Sequence, residues 1–164
     1  MRVIGIDVGG NGGICTLDGS GEIISLIPMP KNGTSASPSD IYKHVKPLIE
    51  EGNTFAFIEK AQAMPKQGVS SMFKYGYHAG GLEMIFIALA VPYELVPPKT
   101  WQKSMFVGTE AKQPAKVRAY QAASRLAPTL DFKASERSTK PHDGMVDAFL
   151  IANYGIRKFA VVSG

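Results

Sequence analysis

A short apolar segment near the start of the chain, RVIGID, ends on a carboxylate and runs into the glycine-rich stretch VGGNGG. Val3, Ile4 and Ile6 predict a buried strand over residues 2–8, in which an aspartate is unfavourable. Burying an unpaired carboxylate costs free energy, so the charge of Asp7 needs compensation. A metal ion, a phosphate bridged by a metal, or a hydrogen-bonded turn could supply it.

The rest of the chain predicts an α/β protein. Two further strands follow the glycines, at 14–17 and 22–29, joined by the hairpin signal DGSG. A fourth strand, 54–60, carries Glu59 at its end, and a short fifth strand lies within 92–98. Hydrophobic periodicity and capping residues predict helices at about 39–51, 72–90, 99–106, 114–126 and 141–155. This order predicts a mixed five-stranded sheet flanked by helices.

Length and composition narrow the class of protein. The 164 residues suit one domain spanning 1–164, with a tail at 156–164 that we expect to fray. The longest apolar run, Met84 to Val91, is too short to span a bilayer. Neither a signal peptide nor a transit peptide is seen, and Cys15 is the only cysteine. We therefore expect a cytoplasmic protein of a bacterial or phage-infected host cell. The net charge of +4 permits a nucleic-acid partner.

Four carboxylates are candidates for a metal site. Asp7 and Glu59 end two predicted strands, and the ends of parallel neighbours meet at one edge of a sheet. Asp143 and Asp147 are four residues apart and share one face of the last predicted helix. Oxygen ligands of this kind suit Mg²⁺, and two such ions can clamp the attacking water and the leaving oxygen of a phosphodiester.

Each part of this pattern also has a structural explanation. An aspartate at a strand end can belong to a turn, and Asp143 in a first helical turn can simply favour the helix dipole. The glycines let the hairpin turn tightly and allow a backbone or a phosphate to come close. It is the combination of two strand-end acids with a helical pair that favours the metal site.

The motifs IGIDVGGNGG, AFIEKAQAMPKQG, VPPKTWQKSMFVG and KPHDGMVDAFLIANYG together resemble the RuvC-like Holliday junction resolvases. The pattern is most similar to the bacteriophage and plastid branch, and the resemblance spans about residues 2–155. It implies a ribonuclease H-like fold, a homodimer, and paired nicking of four-way DNA junctions in recombination and repair. It also implies two Mg²⁺ ions per active site, for which Mn²⁺ should substitute.

The resemblance assigns roles to individual residues. The family's acidic metal ligands match Asp7, Glu59, Asp143 and Asp147, and its lysines near the scissile phosphate match Lys103 and Lys116. Lys112 is a poorer match than Lys116. Further DNA contacts are expected from side chains in the bordering loops and the helix after the fourth strand: Lys60, Lys66, Phe73, Lys74, Lys99 and Lys140.

Two departures from the bacterial pattern affect single residues. Bacterial members space the last two ligands three apart rather than four, and His142 beside them could assist the metal or cap the helix. Bacterial members also carry an aromatic wedge where this chain has Gln62. The alternative wedge candidates, each of which could equally be a core or dimer residue, are Met64, Met72, Phe73 and Tyr75.

Parts of this pattern are also compatible with two other functions. GIDVGGNGG also resembles the phosphate loop of actin-like and sugar-kinase ATPases, but this chain lacks their length and an evident second loop. A non-catalytic module for branched DNA is the other alternative, although four clustered acids would repel DNA.

The predicted dimer interface is the helix from His78 to Ala90, whose small and apolar residues include Gly80, Gly81, Met84, Ile87 and Ala88.

Overall fold

A computed structural model describes residues 1–50, 53–62 and 68–162. The strands are β1 (Arg2–Asp7), β2 (Gly13–Asp18), β3 (Ile23–Pro28), β4 (Lys31–Asn32), β5 (Ser35–Ala36), β6 (Thr54–Glu59) and β7 (Tyr93–Val96). The helices are α1 (Pro38–Val45), α2 (Val69–Ala88), α3 (Pro98–Met105), α4 (Ala115–Leu126) and α5 (Asp143–Val162). A 3-10 turn, Lys46–Leu48, follows α1.

Five strands form one mixed sheet in the order β3-β2-β1-β6-β7. The first three strands are antiparallel, whereas β1 runs parallel to β6 and β6 runs parallel to β7. The predicted architecture is confirmed, including the parallel pairing that brings the ends of β1 and β6 together. The small β4–β5 hairpin was not predicted, because KNGTSA reads as a polar loop.

Helices cover both faces of the sheet. Val3 and Phe57 belong to a core with the single tryptophan, Trp101, on the side of α3, α4 and α5. Ile4 and Ile58, which point the opposite way along the same strands, belong to a second core on the side of α1 and α2. This period-two alternation explains why a strand flanked by helices on both faces is apolar at nearly every position.

Several helix limits differ from the expected ones. The first helix stops at Val45 and passes into the 3-10 turn, since Pro47 has no N–H to continue an α-helix. The tail expected to fray from residue 156 is helical to Val162. Arg157 donates to the Ser104 carbonyl oxygen and Lys158 pairs with Glu94, so tertiary contacts hold this part of α5. Among the described residues, no helix is both long enough and apolar enough to cross a membrane.

Candidate functional site

Two carboxylates meet where adjacent parallel strands end. Ile6 lies beside Ile58 in the register of β1 and β6, so the next residues, Asp7 and Glu59, emerge at the same edge of the sheet. Together with burial, the neighbouring Glu59 raises the pKa of Asp7. Two carboxylates this close repel each other unless a proton or a cation compensates their charge.

The glycines after Asp7 bring the last helix to this edge. A Cβ placed on Gly144, in the first turn of α5, would lie 2.3 Å from the Asn11 carbonyl oxygen. A Cβ on Gly13 would lie 2.5 Å from the Gly144 carbonyl oxygen. The β1–β2 hairpin and α5 therefore touch backbone to backbone, as only glycine permits. Of the two close approaches considered from the sequence, a backbone or a phosphate, this contact is with a backbone.

The acids from α5 share an electrostatic environment with Asp7 and Glu59. Burial, then the charges of Glu59 and Asp147, raise the pKa of Asp7 well above its usual range. Burial, then Glu59 and Asp143, raise the pKa of Asp147 to about 7. All four predicted carboxylates thus interact. They repel one another because the cluster holds too little positive charge to compensate them.

The positive charge of Lys116 compensates part of that repulsion. The Nζ of Lys116 lies 2.5 Å from the Oδ2 of Asp143 at the mouth of the cluster. Both side chains are exposed, so solvent screens the pair and it contributes little to stability. The pair can therefore open at little cost when either partner has another ligand.

The donor set fits a hard divalent cation. Mg²⁺ prefers carboxylate oxygens, and a cation at this point would relieve the repulsion that raises the pKa of Asp7 and Asp147. Within the parts of the chain that the structure describes, no three acidic, histidine or cysteine side chains already converge at metal-binding distance. The Lys116–Asp143 pair engages an oxygen that an ion would use.

Two aromatic side chains lie beside the carboxylates, and neither was assigned this place from the sequence. The indole nitrogen of Trp101 donates a 3.0 Å hydrogen bond to Oε1 of Glu59, which orients that carboxylate. Burial, then the charges of Glu59 and Asp7, raise the pKa of Tyr75 to about 12, so its hydroxyl stays protonated. The motif VPPKTWQ contained Trp101, but its role depends on a contact between α3 and the end of β6, which are 42 residues apart in the chain.

A cleft of about 650 Å³ opens in front of Glu59 and Asp147. Lys60, Gln62 and Tyr75 line it, together with Gln102 from α3. Lys60 therefore borders the carboxylates' cleft, and its contact with DNA stays a prediction. Gln62 also faces the cleft, at the position where bacterial members carry the aromatic wedge.

Four of the other predicted basic residues, Lys99, Lys103, Lys116 and Lys140, line depressions that adjoin this cleft. Lys99 and Lys103 line a separate depression of about 360 Å³ with Arg118, which the sequence interpretation missed. This depression and the cleft share Gln102, so Lys103 lies beside the carboxylates' cleft without lining it. Lys112 is exposed in a loop. Lys116 and Lys140 line a third cavity, next to Asp143 and Asp147.

The remaining candidates lie farther from the chemistry or have another evident role. Phe73 and Lys74 are exposed on α2, and Met72 is half-buried there. Lys66 and Met64 lie outside the described residues. His142 precedes α5, where its Nδ1 accepts a 3.3 Å hydrogen bond from the backbone N–H of Met145, the capping alternative. Burial, then the positive charge of Lys31, lower the pKa of His142.

The raised pKa of Asp147 predicts how stability changes with pH. Its folded-state value of about 7 exceeds its ordinary value of 3.8, so protonation favours the folded protein. This stabilisation is complete below about pH 4 and is lost as the pH rises through about 7. We expect Asp147→Asn to remove the loss and to raise the free energy of unfolding at pH 8 by on the order of 2 to 4 kcal/mol.

Urea titrations without divalent metal, at pH 5 and pH 8, would measure this difference. Asp131→Asn is the matched control, because Asp131 is exposed and paired with Lys133 on the surface. An Asp147→Asn protein that is less stable than the parent at pH 8 would contradict the electrostatic description.

Comparison with solved structures identifies the fold. The structure of T. thermophilus RuvC in complex with Holliday junction substrate aligns with a TM-score of 0.63 and 15% identity, over 100% of this chain and 96% of that chain. A second Thermus thermophilus RuvC structure aligns with a TM-score of 0.56 and 16% identity, over 97% of both chains. No protein-family model and no curated protein sequence matches this chain. The chain has the ribonuclease H-like fold of RuvC, as predicted.

Proposed function

We propose that this protein is a RuvC-like, structure-selective DNA endonuclease that resolves four-way junctions by paired, symmetric nicks. The observation that carries the proposal is the meeting of Asp7, Glu59, Asp143 and Asp147 at one edge of the sheet. Its fold is that of a protein whose solved structure holds a Holliday junction. Roles in recombination and repair, and membership of the bacteriophage and plastid branch, are part of the same proposal.

The four carboxylates would hold two Mg²⁺ ions, with Mn²⁺ as a substitute. Ions so placed supply activation of the attacking water and stabilisation of the leaving oxygen. Trp101 keeps Glu59 oriented through its indole hydrogen bond, and Lys116 neutralises Asp143 until DNA or metal enters. Tyr75, which remains protonated, provides a hydrogen-bond donor on the wall of the cleft.

The basic side chains would bind the DNA backbone around this centre. Lys60 borders the cleft, Lys99, Lys103 and Arg118 border the adjacent depression, and Lys116 and Lys140 lie on the other side of the carboxylates. Such contacts position DNA and carry little sequence information. We retain Lys66 and Lys74 as proposed DNA contacts, together with Phe73.

The ATPase alternative has less support. An ATPase of the actin type would need the glycine hairpin free to surround phosphates, whereas here Gly13 packs against the backbone of Gly144. A purely DNA-binding module would have no use for four acids that repel its ligand.

Incubation of the protein with a labelled four-way junction, with and without Mg²⁺, tests the proposal. Two symmetric nicks in Mg²⁺, with forks, flaps and linear duplex cut more slowly, are expected. A parallel assay of ATP hydrolysis should show none above background. Junction binding without any nicking in Mg²⁺ or Mn²⁺ would favour the non-catalytic alternative.

The basic depression predicts a salt effect. Among the described residues, Lys103 and Arg118 have no acidic partner, and Arg118 is held over the Phe106 ring at 4.9 Å. If each contacts one phosphate, Lys103→Ala and Arg118→Ala should each lower the slope of log affinity against log salt by about one. Fluorescence anisotropy with junction DNA measures the slope. Lys43→Ala, on α1, is the control, and slopes equal to the parent's would remove these residues from the interface.

A homodimer belongs to the proposal because two matched nicks need two active sites. The outer face of α2 exposes a row of large apolar side chains, namely Val69, Phe73, Tyr77, Met84 and Ile87. Exposed apolar rows of this extent usually mark an interface. Gly80 lies within the row with nothing near its Cβ position, whereas Gly81 faces Pro38 of α1 and is not part of the outer face, contrary to expectation.

We expect Gly80→Leu to divide the dimer, because a large side chain would hold the two copies of α2 apart. Sedimentation velocity at micromolar concentration should show a dimer for the parent and a monomer for the variant, with paired nicking lost. Lys43→Leu adds an exposed leucine elsewhere and should remain dimeric. A parent protein that is monomeric both with and without junction DNA would contradict the dimer, and a dimeric Gly80→Leu protein would contradict its position.

A further inference from the structure

The third cavity, lined by Lys116 and Lys140, adjoins the carboxylate cluster and shares Asp147 with the main cleft. It has a volume of about 350 Å³ and lies between α4 and the start of α5. We name it the Tyr120 pocket after one of its lining residues; the others used below are Val117, Pro141, Val146, Lys116 and Lys140. Asp143 and Asp147 also line it, so the pocket and the proposed catalytic centre share two side chains.

The pocket combines an apolar interior with two exposed cations. Val117, Tyr120, Pro141 and Val146 supply carbon surface, while Lys116 and Lys140 are exposed lysines. Ligand sites typically have this character, with a mainly apolar wall and few charged groups that fix orientation. A ligand with a flat apolar part and a negative group next to it would match both features.

The ring of Tyr120 is held in place by aromatic packing beneath it. It meets the Phe132 ring nearly edge to face, with centroids 6.4 Å apart, and Phe132 packs against Phe149 at 5.3 Å. Phe132 is fully buried and has a φ of 55°, a strained value for a bulky residue. Tyr120 nevertheless keeps 39% of its surface exposed. A supported but accessible ring is a stacking platform rather than a core residue.

We propose that the Tyr120 pocket binds one nucleobase of the cleaved strand, from a nucleotide next to the scissile phosphodiester. The base stacks on Tyr120 between Val117 and Pro141, and Lys116 and Lys140 contact the flanking phosphates. Sharing Asp143 and Asp147 with the catalytic centre limits the occupant to a nucleotide close to the bond that is cut. The inference rests on the proposed function and adds to it a site that reads the DNA sequence around the cut.

Occupation of the pocket requires little rearrangement. Lys116 must turn from Asp143 toward a phosphate, and an exposed ion pair opposes this weakly. Stacking on an aromatic ring tolerates every base, so the sequence preference would come from how well a base seated on Tyr120 fits between Val117 and Pro141, and it would be lost when either the seat or the fit is lost.

Photo-crosslinking tests the pocket without requiring cleavage. Four-way junctions carrying 5-iododeoxyuridine at each position around the point of exchange are bound without Mg²⁺, irradiated and digested. We expect one position to crosslink to Tyr120, and Tyr120→Leu to lose that crosslink while its junction affinity falls less than about tenfold. Tyr42→Leu is the matched control, because Tyr42 packs with the core on the opposite face of the sheet. Crosslinks that map only outside the pocket would overturn the proposal.

Cleavage of junctions that differ only in the bases around the nick provides the second measurement. Tyr120→Leu and Val117→Phe, which fills the pocket, should each reduce the parent's preference between sequences by about tenfold. An unchanged preference in both variants, each folded by circular dichroism, would overturn the proposal. A parent that crosslinks at Tyr120 but nicks no branched DNA supports the pocket and rejects the endonuclease, so the two failures are distinguishable.

Discussion

Asp7→Asn is expected to abolish junction cleavage in Mg²⁺ while the protein still binds junctions as tightly as the parent or more tightly. Asparagine keeps the shape of the side chain but removes a charge that meets Glu59, Asp147 and Asp143. A loss of about a thousandfold or more in single-turnover rate, roughly 4 kcal/mol of barrier, is expected for a residue that would hold the metal ions. Removing one negative charge from a surface that faces DNA should not weaken binding.

The same substitution should stabilise the metal-free protein, with a gain that grows as the pH rises above the ordinary aspartate value of 3.8, because burial and like charges raise the pKa of Asp7 and make its ionised form unfavourable. If Asp7→Asn loses cleavage but gains stability, Asp7 acts as a metal ligand, because replacing a structural residue would lower stability. Quenched-flow cleavage, anisotropy binding and urea unfolding measure the three quantities, with Asp131→Asn as control. An Asp7→Asn protein that cleaves at the parent rate would refute the metal assignment.

Gly5→Ala is expected to destabilise the fold severely. Gly5 lies in the middle of β1, and a Cβ there would be 2.3 Å from the backbone nitrogen of Ala152 and 2.4 Å from the carbonyl oxygen of Ala148. Both atoms belong to the backbone of α5, which cannot move locally, so the helix must lift from the sheet. We expect a loss of at least about 4 kcal/mol in the free energy of unfolding, or recovery only as insoluble protein.

Gly76→Ala is the matched control for this substitution. Gly76 lies within α2 with nothing close to its Cβ position, so alanine there should stabilise the helix by roughly 0.5–1 kcal/mol. Urea unfolding followed by circular dichroism compares the variants. If the free energy of unfolding of Gly5→Ala lies within about 1 kcal/mol of the parent's, α5 does not pack against β1 as closely as described.

The order and type of most elements could be predicted because each depends on neighbours in the chain. The alternation around Ile4 and Ile58 and the hairpin signal after Asp18 are local patterns. Helix limits were less predictable. Pro47 converts the end of α1 into a 3-10 turn, and the last turns of α5 survive through contacts with Ser104 and Glu94 from elsewhere in the chain.

The carboxylate site also has features that follow from local patterns and features that depend on the packing of distant segments. Local patterns were enough to predict which acids end strands and which share a helical face, since both follow from the backbone repeat. Three contacts became evident only from the packing of distant segments: Trp101 donates to Glu59, Lys116 pairs with Asp143, and Lys103 lies with Arg118 in an adjoining depression. The same distinction applies to the glycines after Asp7. The number of these glycines predicted that some other group comes close to the hairpin. That group is the backbone of α5, which lies more than a hundred residues away in the chain. Contacts between distant segments depend on how helices cross the sheet, and no local periodicity records that crossing.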